Sequence, residues 1–415
     1  MTTRPMRVAR WCAGALLLGT TAALAQAPAT PPATSPAAPA AQEEPFWAKG
    51  RPRTDATAMR MAPVPSFPIP TAVDKLPIAK LKLPPGFRIE PWATGLLDAR
   101  ALREGDKGTV FVSTRFVGSK VYAVVNKGGT REVKTLIDKM QLPTGIETHN
   151  GALYVATPKQ VLRYDNIESR LDAIGMPVVV YDKLPGDVPH GWKYLRIRDN
   201  KLYVPVGAPC NICEPGDSHA QILKMNLDGS GVEVVARGVR NTVGFDFDPK
   251  NGELWFTDNG RDWLSEDLPE DELNRVSAAG QHFGFPYCHQ GDFTDPEFGW
   301  GKSCSNYQKP ALLLGPHAAA LGMTFYTGSM FPSQYQGAIF IARHGPWNRT
   351  SKYADILVAW PDGKGGIAKT EPFLTGLVEN NQYLARPVDF LVQKDGSMLV
   401  SDDFNGAVYR ISYSR

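Results

Sequence analysis

RPVDFLVQKDGSMLVS, residues 386–401, sets out a unit that recurs along the chain. A charged residue precedes an apolar strand, a short Asp/Asn/Gly turn follows, and a second strand runs out into small residues. Residues 190–206 read HGWKYLRIRDNKLYVPV and residues 240–257 read RNTVGFDFDPKNGELWFT, two further copies. Each has a hairpin turn at its centre, at Asp199-Asn200, Asn251-Gly252 and Asp395-Gly396, dipeptides that accept the left-handed backbone of tight hairpins. Weaker copies lie at residues 99–125, 144–156 and 322–342, making about six units. Long helical periodicity is nearly absent, and repeats of short strands at this spacing predict an all-β protein, a six-bladed β-propeller of four-stranded antiparallel blades. The strand FRIEPW at residues 87–92 has no partner in the first unit. Pairing it with residues 407–411 of the last unit would close the ring and hide two sheet edges.

Ahead of the repeats the chain has a different character. Residues 1–25 join a basic start (Arg4, Arg7, Arg10) to a short apolar run and an Ala-Leu-Ala site, the pattern of a secretory signal. The apolar run is too short to span a bilayer, so no stable membrane insertion is expected. Residues 26–80 are expected to form an Ala/Pro-rich tether and N-terminal extension, because the composition from 26 to 44 cannot bury enough apolar surface to offset chain entropy. The propeller is assigned to residues 81–415. Removing the signal takes the formal charge from +3 to about zero, which argues against nucleic acid as the partner. Export makes the periplasm or the exterior the expected location. It also leaves four cysteines, for which two local disulfides, Cys210–Cys213 and Cys288–Cys304, are the expected pairing. A four-cysteine zinc site is the alternative, although the second pair is spaced more widely than in the usual zinc ribbon.

In a propeller the residues that precede each inner strand converge on the mouth of the central channel. Here those positions carry His190, Arg240 with Asn241, and Arg386, with Pro143-Thr144 in a fourth blade. His190 precedes Leu202 by the same twelve residues that separate Arg386 from Met398. One imidazole with two guanidinium groups and an amide offers a general base beside an anion site. Two insertions add to this face. Residues 257–274 are dense in oxygen donors of the kind hard cations take, and residues 343–349, RHGPWNR, offer cations and a flat aromatic surface to a planar ligand.

On these residues the chain resembles the soluble pyrroloquinoline quinone (PQQ)-dependent glucose/sorbosone dehydrogenases, and within them the sorbosone dehydrogenase-like branch. The resemblance runs through PHGWKYL, GVRNTVGFDFDP, ELWFTDNGRD, GQHFGFPYC, LGMTFYTG, ARHGPWNR and RPVDFLVQKDGSMLVSDDFNGAVYRI, which together span nearly everything from residue 83 onward. It implies a PQQ- and calcium-dependent oxidoreductase that turns an aldose or sugar aldehyde into the lactone or acid and passes electrons to a separate cytochrome or quinone. His190 then matches the general base. Arg240 and Asn241 match the pair beside the quinone, and Arg386 an arginine on a cofactor carboxylate. Asn259, His317, Arg343 and His344 fall at or near cofactor-contacting positions. Gly260 and Arg261 fall where two backbone carbonyls hold calcium, with Arg261 standing where the glucose enzymes carry proline. A calcium-dependent lactonase and a non-catalytic carbohydrate- or partner-binding propeller are the competing readings.

Overall fold

The computed structural model describes residues 69–414 apart from Val117 and Val188. The predicted signal peptide lies outside the described residues, as does the tether up to residue 68. Six sheets follow one another along the chain. Ala99–Glu104, Val110–Thr114, Val121–Lys127 and Thr130–Ile137 form the first blade. Gly145–His149, Ala152–Ala156, Val161–Tyr164 and Val178–Tyr181 form the second. The third is built from Arg196–Arg198, Lys201–Val206, Gln221–Asn226 and Glu233–Arg237, and the fourth from Phe245–Phe247, Leu254–Asp258, Glu270–Val276 and Leu312–Pro316. Ala320–Phe325, Ile339–Arg343, Asp355–Pro361 and Ile367–Leu374 make the fifth. The sixth combines Pro387–Val392, Met398–Asp402 and Ala407–Tyr413 with Phe87–Ala93, whose Phe87 pairs Tyr413 and whose Glu90 pairs Arg410. The fold is the six-bladed propeller the repeats predict, closed by the expected strand.

Burial explains why the second strand of each blade is the most apolar. Val110–Thr114, Ala152–Ala156, Leu254–Asp258 and Met398–Asp402 are buried at every position, because both faces are covered by neighbouring blades and alternation is lost. Leu102, Val112, Leu399 and Val408 pack the first blade on the sixth, and Tyr154, Leu202, Val204 and Leu223 pack the second on the third. The outer strands Thr130–Ile137 and Ile367–Leu374 are largely exposed until their last two residues.

Two departures from the four-stranded pattern matter for the site. An insertion interrupts the fourth blade between its third and outer strands. Within it Gln281–His282 adds as a fifth, parallel strand to the edge of the third blade, and the hairpin Cys288–His289 with Phe293–Thr294 carries the Cys288–Cys304 disulfide. The chain just ahead of residue 81 also packs on the blades. Leu76, between the short 3-10 turns Val73–Lys75 and Ile78–Lys80, packs beside Ala407 and Tyr409, and Thr71 bonds Asn405. Residues 69–80 therefore pack against the sixth blade as part of the folded domain.

Charged residues of the inner strands are joined across the channel. Arg103 of the first blade bonds Glu147 of the second (3.1 Å) and Asp389 of the sixth (3.1 Å). Arg196 of the third blade reaches Asp246 of the fourth at 2.6 Å, and Asp246 accepts from Thr324 of the fifth at 3.1 Å. Tyr194 closes the circuit by donating to Asp389 at 3.0 Å.

Candidate functional site

Above this charged layer the blades leave a cavity of about 340 Å³. His190, Arg240, Asn241, His344 and Arg386 all line it, together with His317, Asn259 and Gly260. The equal twelve-residue spacing hides different local structures. Arg386 stands one residue before its inner strand, whereas six residues separate His190 from Arg196, where the regular strand of its blade begins. Thr144, the fourth predicted position, does not line the cavity; its hydroxyl takes the Lys193 N–H and its carbonyl takes Ser113 Oγ, tying three blades together.

His190 adopts a left-handed backbone with φ 50°, a conformation few non-glycine residues hold without support. The support comes from the loop at residues 207–213. A Cβ at Gly207 would lie 2.6 Å from His190 Cβ, so glycine alone permits the approach. The His190 ring nitrogen Nδ1 sits 2.9 Å from the Ala208 carbonyl. A carbonyl only accepts, so Nδ1 carries the proton and Nε2 keeps its lone pair. Burial first, and then the Arg240 cation, push the imidazole down to about 3, so it is neutral and basic in form at ordinary pH.

Arg240 is held by the same loop. Its Nε donates to the Asn211 carbonyl (2.8 Å), one terminal nitrogen to Asn211 Oδ1 (2.9 Å) and Asp262 Oδ2 (3.2 Å), and the other to the Asn259 carbonyl (3.0 Å). Asn211 lies between Cys210 and Cys213, which form the expected disulfide. Asn241 Oδ1 accepts from Trp192 Nε1 at 3.1 Å, and the Asn259 side chain spans to the Ala320 carbonyl at 2.7 Å, pinning the fourth blade to the fifth.

On the other side His344 Nε2 bonds Asp403 (2.8 Å), whose second oxygen takes Arg100 (2.9 Å). Arg386 donates to the carbonyls of His344 (3.1 Å) and Gly345 (2.7 Å) and lies over the Tyr383 ring. His317 donates to the Ser265 carbonyl and accepts from the Asn348 amide. That amide also donates to Asp262, and Asn348 Oδ1 is buried without a partner among the described residues.

One sequence expectation is corrected. The Arg343 side chain does not reach the cavity: it pairs with Asp355 and bonds the Leu314 carbonyl. Arg261 does not line it either. Its guanidinium turns away to pair with Asp295 (2.8 Å) and Glu297 (2.8 Å), and His289 Nε2 shares the same Asp295 oxygen, Oδ2 (2.8 Å). That orientation removes the objection to a positive side chain beside a cation, and it leaves only the backbone of Arg261 for such a role.

Residues not singled out from sequence complete the lining, chiefly Arg100, Arg115 and Trp192. Arg115 lies over the Phe116 and Trp192 rings with its Nε buried and unpartnered among the described residues. Burial and the nearby Arg100 push it down to about 10. Four guanidinium groups thus surround a cavity whose lining carboxylates are Asp262 and Asp271. Asp262 pairs with Arg240 and Asp403 with Arg100, so Arg115 and Arg386 keep cationic faces without a carboxylate partner at hydrogen-bond distance among the described residues. This donor set fits a flat polyanion such as PQQ, whose carboxylates would meet Arg115 and Arg386.

The fit for calcium lies in the oxygen donors at Gly260. Its N–H is taken by Asp271, and its carbonyl makes no hydrogen bond among the described residues. Asp262 and Asp271 flank it. Burial drives Asp271 up to about 7 and, just behind it, burial and Asp258 drive Glu272 up to about 8, the behaviour of carboxylates short of positive charge.

A family described as TrAA12-like matches residues 81–414. An "Uncharacterized protein" of Borreliella burgdorferi is 32% identical over 357 residues, 81% of this chain and 91% of that protein. A pyrroloquinoline quinone-dependent pyranose dehydrogenase of Coprinopsis cinerea is 25% identical across 79% of this chain; the match spans only about half, 54%, of that relative's length. Among solved structures, the holo PQQ domain of the Coprinopsis cinerea pyranose dehydrogenase superposes with a TM-score of 0.68 at 20% identity, covering 80% of this chain and 97% of its own. The calcium structure of a Trichoderma reesei AA12 enzyme superposes with a TM-score of 0.72 at 20% identity, covering 83% and 100%. At these identities the superpositions establish the fold.

Proposed function

The chain belongs to the TrAA12-like family, and from that premise we propose that it oxidises an aldose or a sorbosone-like sugar aldehyde to the lactone or acid, using PQQ and calcium. The observation that carries the reading is a neutral imidazole with a free Nε2 at His190, facing a cavity ringed by four guanidinium groups. The named activity of the Coprinopsis cinerea relative supports it.

Arg115 and Arg386 would hold the carboxylates of the cofactor, with His344 and Asn241 along its edges. The Gly260 and Arg261 carbonyls would hold the cation. PQQ, when bound, supplies an electron-deficient quinone carbonyl that takes a hydride. The chain does the rest. The lone pair at His190 Nε2 receives the proton of the sugar hydroxyl as the carbon beneath it is oxidised. Nδ1–H, fixed on the Ala208 carbonyl, passes none of its own proton and keeps the ring in the basic tautomer. Arg240 acts as a fixed positive charge where negative charge develops. Trp192 and Trp347 line the cavity beside these groups and exclude water with apolar rings. An exported location and a separate cytochrome or quinone as electron acceptor belong to the same proposal.

Reconstitution with PQQ and calcium, followed by a panel of aldoses and sorbosone, tests it. Bleaching of the oxidised cofactor's absorbance on adding sugar is expected. His190→Ala should still bind PQQ but lose about 10²- to 10⁴-fold in turnover. Near-normal turnover in that variant, or lactone hydrolysis without PQQ in the wild type, would overturn the reading.

A further inference from the structure

One short loop touches both the base and the fixed cation. Between the second and third strands of the third blade, residues 207–213 pass beside the cavity and are closed on themselves by Cys210–Cys213. Ala208 accepts from His190 Nδ1 through its carbonyl, and its N–H donates to the Arg240 carbonyl at 2.8 Å. Asn211, three residues on, spends every polar atom of its side chain on the site. Oδ1 accepts from Arg240 at 2.9 Å and from the Asp262 N–H at 2.8 Å, while Nδ2 donates to the Asp262 carbonyl at 3.0 Å. Its own carbonyl takes Arg240 Nε at 2.8 Å. No other residue gives Arg240 more than one acceptor.

We propose that Asn211, fixed in register by the Cys210–Cys213 disulfide, is a positioning residue that clamps the Arg240 guanidinium and the Asp262 segment to one another and so sets the distance between the cation and the His190 base. The physical argument is one of degrees of freedom. An arginine side chain retains large rotamer entropy unless its planar fork is matched. Two of the four acceptors that match the fork here come from one loop residue, and that loop has no regular secondary structure to hold it. Cross-linking the two residues that bracket Asn211 and Ile212 removes alternative conformations in which Asn211 would swing away. The same clamp carries the order outward, because Asp262 accepts from Asn348, whose amide also meets His317. A disulfide of this span adds little loop-closure stability to a whole propeller, and its position explains its presence better than stability does.

The role rests on the oxidation proposed above, so the test has one arm that needs no turnover. Peptide mapping after phenylglyoxal treatment reads the accessibility of Arg240, which is only 3% exposed. In the wild type Arg240 should resist labelling. In Asn211→Ala, in Cys210→Ser/Cys213→Ser, and in wild type under mild reduction, it should label severalfold faster while the unfolding midpoint changes little. In Asn211→Asp, which keeps the acceptor for Arg240 and for the Asp262 N–H, labelling should stay near the wild-type rate. With PQQ, calcium and sugar, Asn211→Ala should lose about 10- to 100-fold in kcat, as a misplaced catalytic group does, with KM for the sugar nearly unchanged and Asn211→Asp restoring most of the loss. Equal protection of Arg240 in wild type, Asn211→Ala and the double cysteine variant would overturn the clamp, as would wild-type kcat in Asn211→Ala. A wild type that oxidises no sugar would instead overturn the proposed function, and the labelling would still judge the clamp.

Discussion

At His190 and His344 the imidazoles are both pushed down to about 3, by burial first and then by Arg240 and Arg386 respectively. In the unfolded chain each returns to about 6.5. Between those values the unfolded state binds the extra protons, so the stability these two imidazoles contribute is fully present above about pH 6.5 and is lost as pH drops towards 3. Asp403, held far below its ordinary range by His344 and Arg100, adds a loss of the same sign at the acid end. For the buried His344 the slope is about 1.4 kcal/mol per pH unit at most. Buried Asp271 and Glu272, pushed up to about 7 and 8, act with the opposite sign in wild type and variant alike, so the His344 contribution is read as a difference: the denaturant midpoint of wild type minus that of His344→Gln should shrink from pH 7 to pH 4. The catalytic counterpart is that protonation of His190 sets no acid limb on turnover above about pH 4.

At the scale of single elements, the disulfides divide into two kinds. Cys210–Cys213 spans three residues beside the cavity, whereas Cys288–Cys304 spans sixteen and closes the insertion that carries His289 and Asp295. By the chain-entropy account a loop of that size contributes about 3 kcal/mol. Cys288→Ser/Cys304→Ser should therefore lower the free energy of unfolding by about that amount, measured by urea titration with the wild type as reference. The strands were easy to read from sequence because their pattern is local. Asp199 and Asn200 both take positive φ and join Arg198 to Lys201 in a two-residue turn as the dipeptide predicts, whereas the turns at Asn251-Gly252 and Asp395-Gly396 are longer, since Phe247 pairs Leu254 and Val392 pairs Met398. Side-chain direction was harder to read. Arg343 and His344 are sequence neighbours, yet Arg343 ends a strand and is drawn across it to Asp355, leaving His344 alone to turn to the cavity. Nothing local distinguishes the two. Arg115 and Asn211 were not legible either, because what gives them meaning is a contact with another blade or another loop.

For the whole molecule, the buried circuit joining Arg103, Glu147, Tyr194, Arg196, Asp246 and Asp389 brings together five blades, and Thr324 adds the remaining one. Such a circuit adds less to stability than apolar packing of the same volume, but breaking it is costly, because the abandoned charge stays buried. Asp389→Ala removes the acceptor shared by Arg103, Tyr194 and the Leu102 N–H. It should destabilise the propeller by about 3–5 kcal/mol, with Asp389→Asn costing less, and equilibrium unfolding of the two variants would show the difference.

The closing strand has a consequence for how the molecule comes into being. Glu90 and Arg410 face one another across 320 residues of chain, so the strand Phe87–Ala93 must wait for a partner made 320 residues after it. Until then the sixth sheet lacks an edge, the first and sixth blades cannot be drawn together, and the pocket between Arg100 and Arg386 stays open. Nascent protein is therefore unable to assemble its ligand site before Ala407–Tyr413 has been made, and contacts this distant in sequence are slow to form.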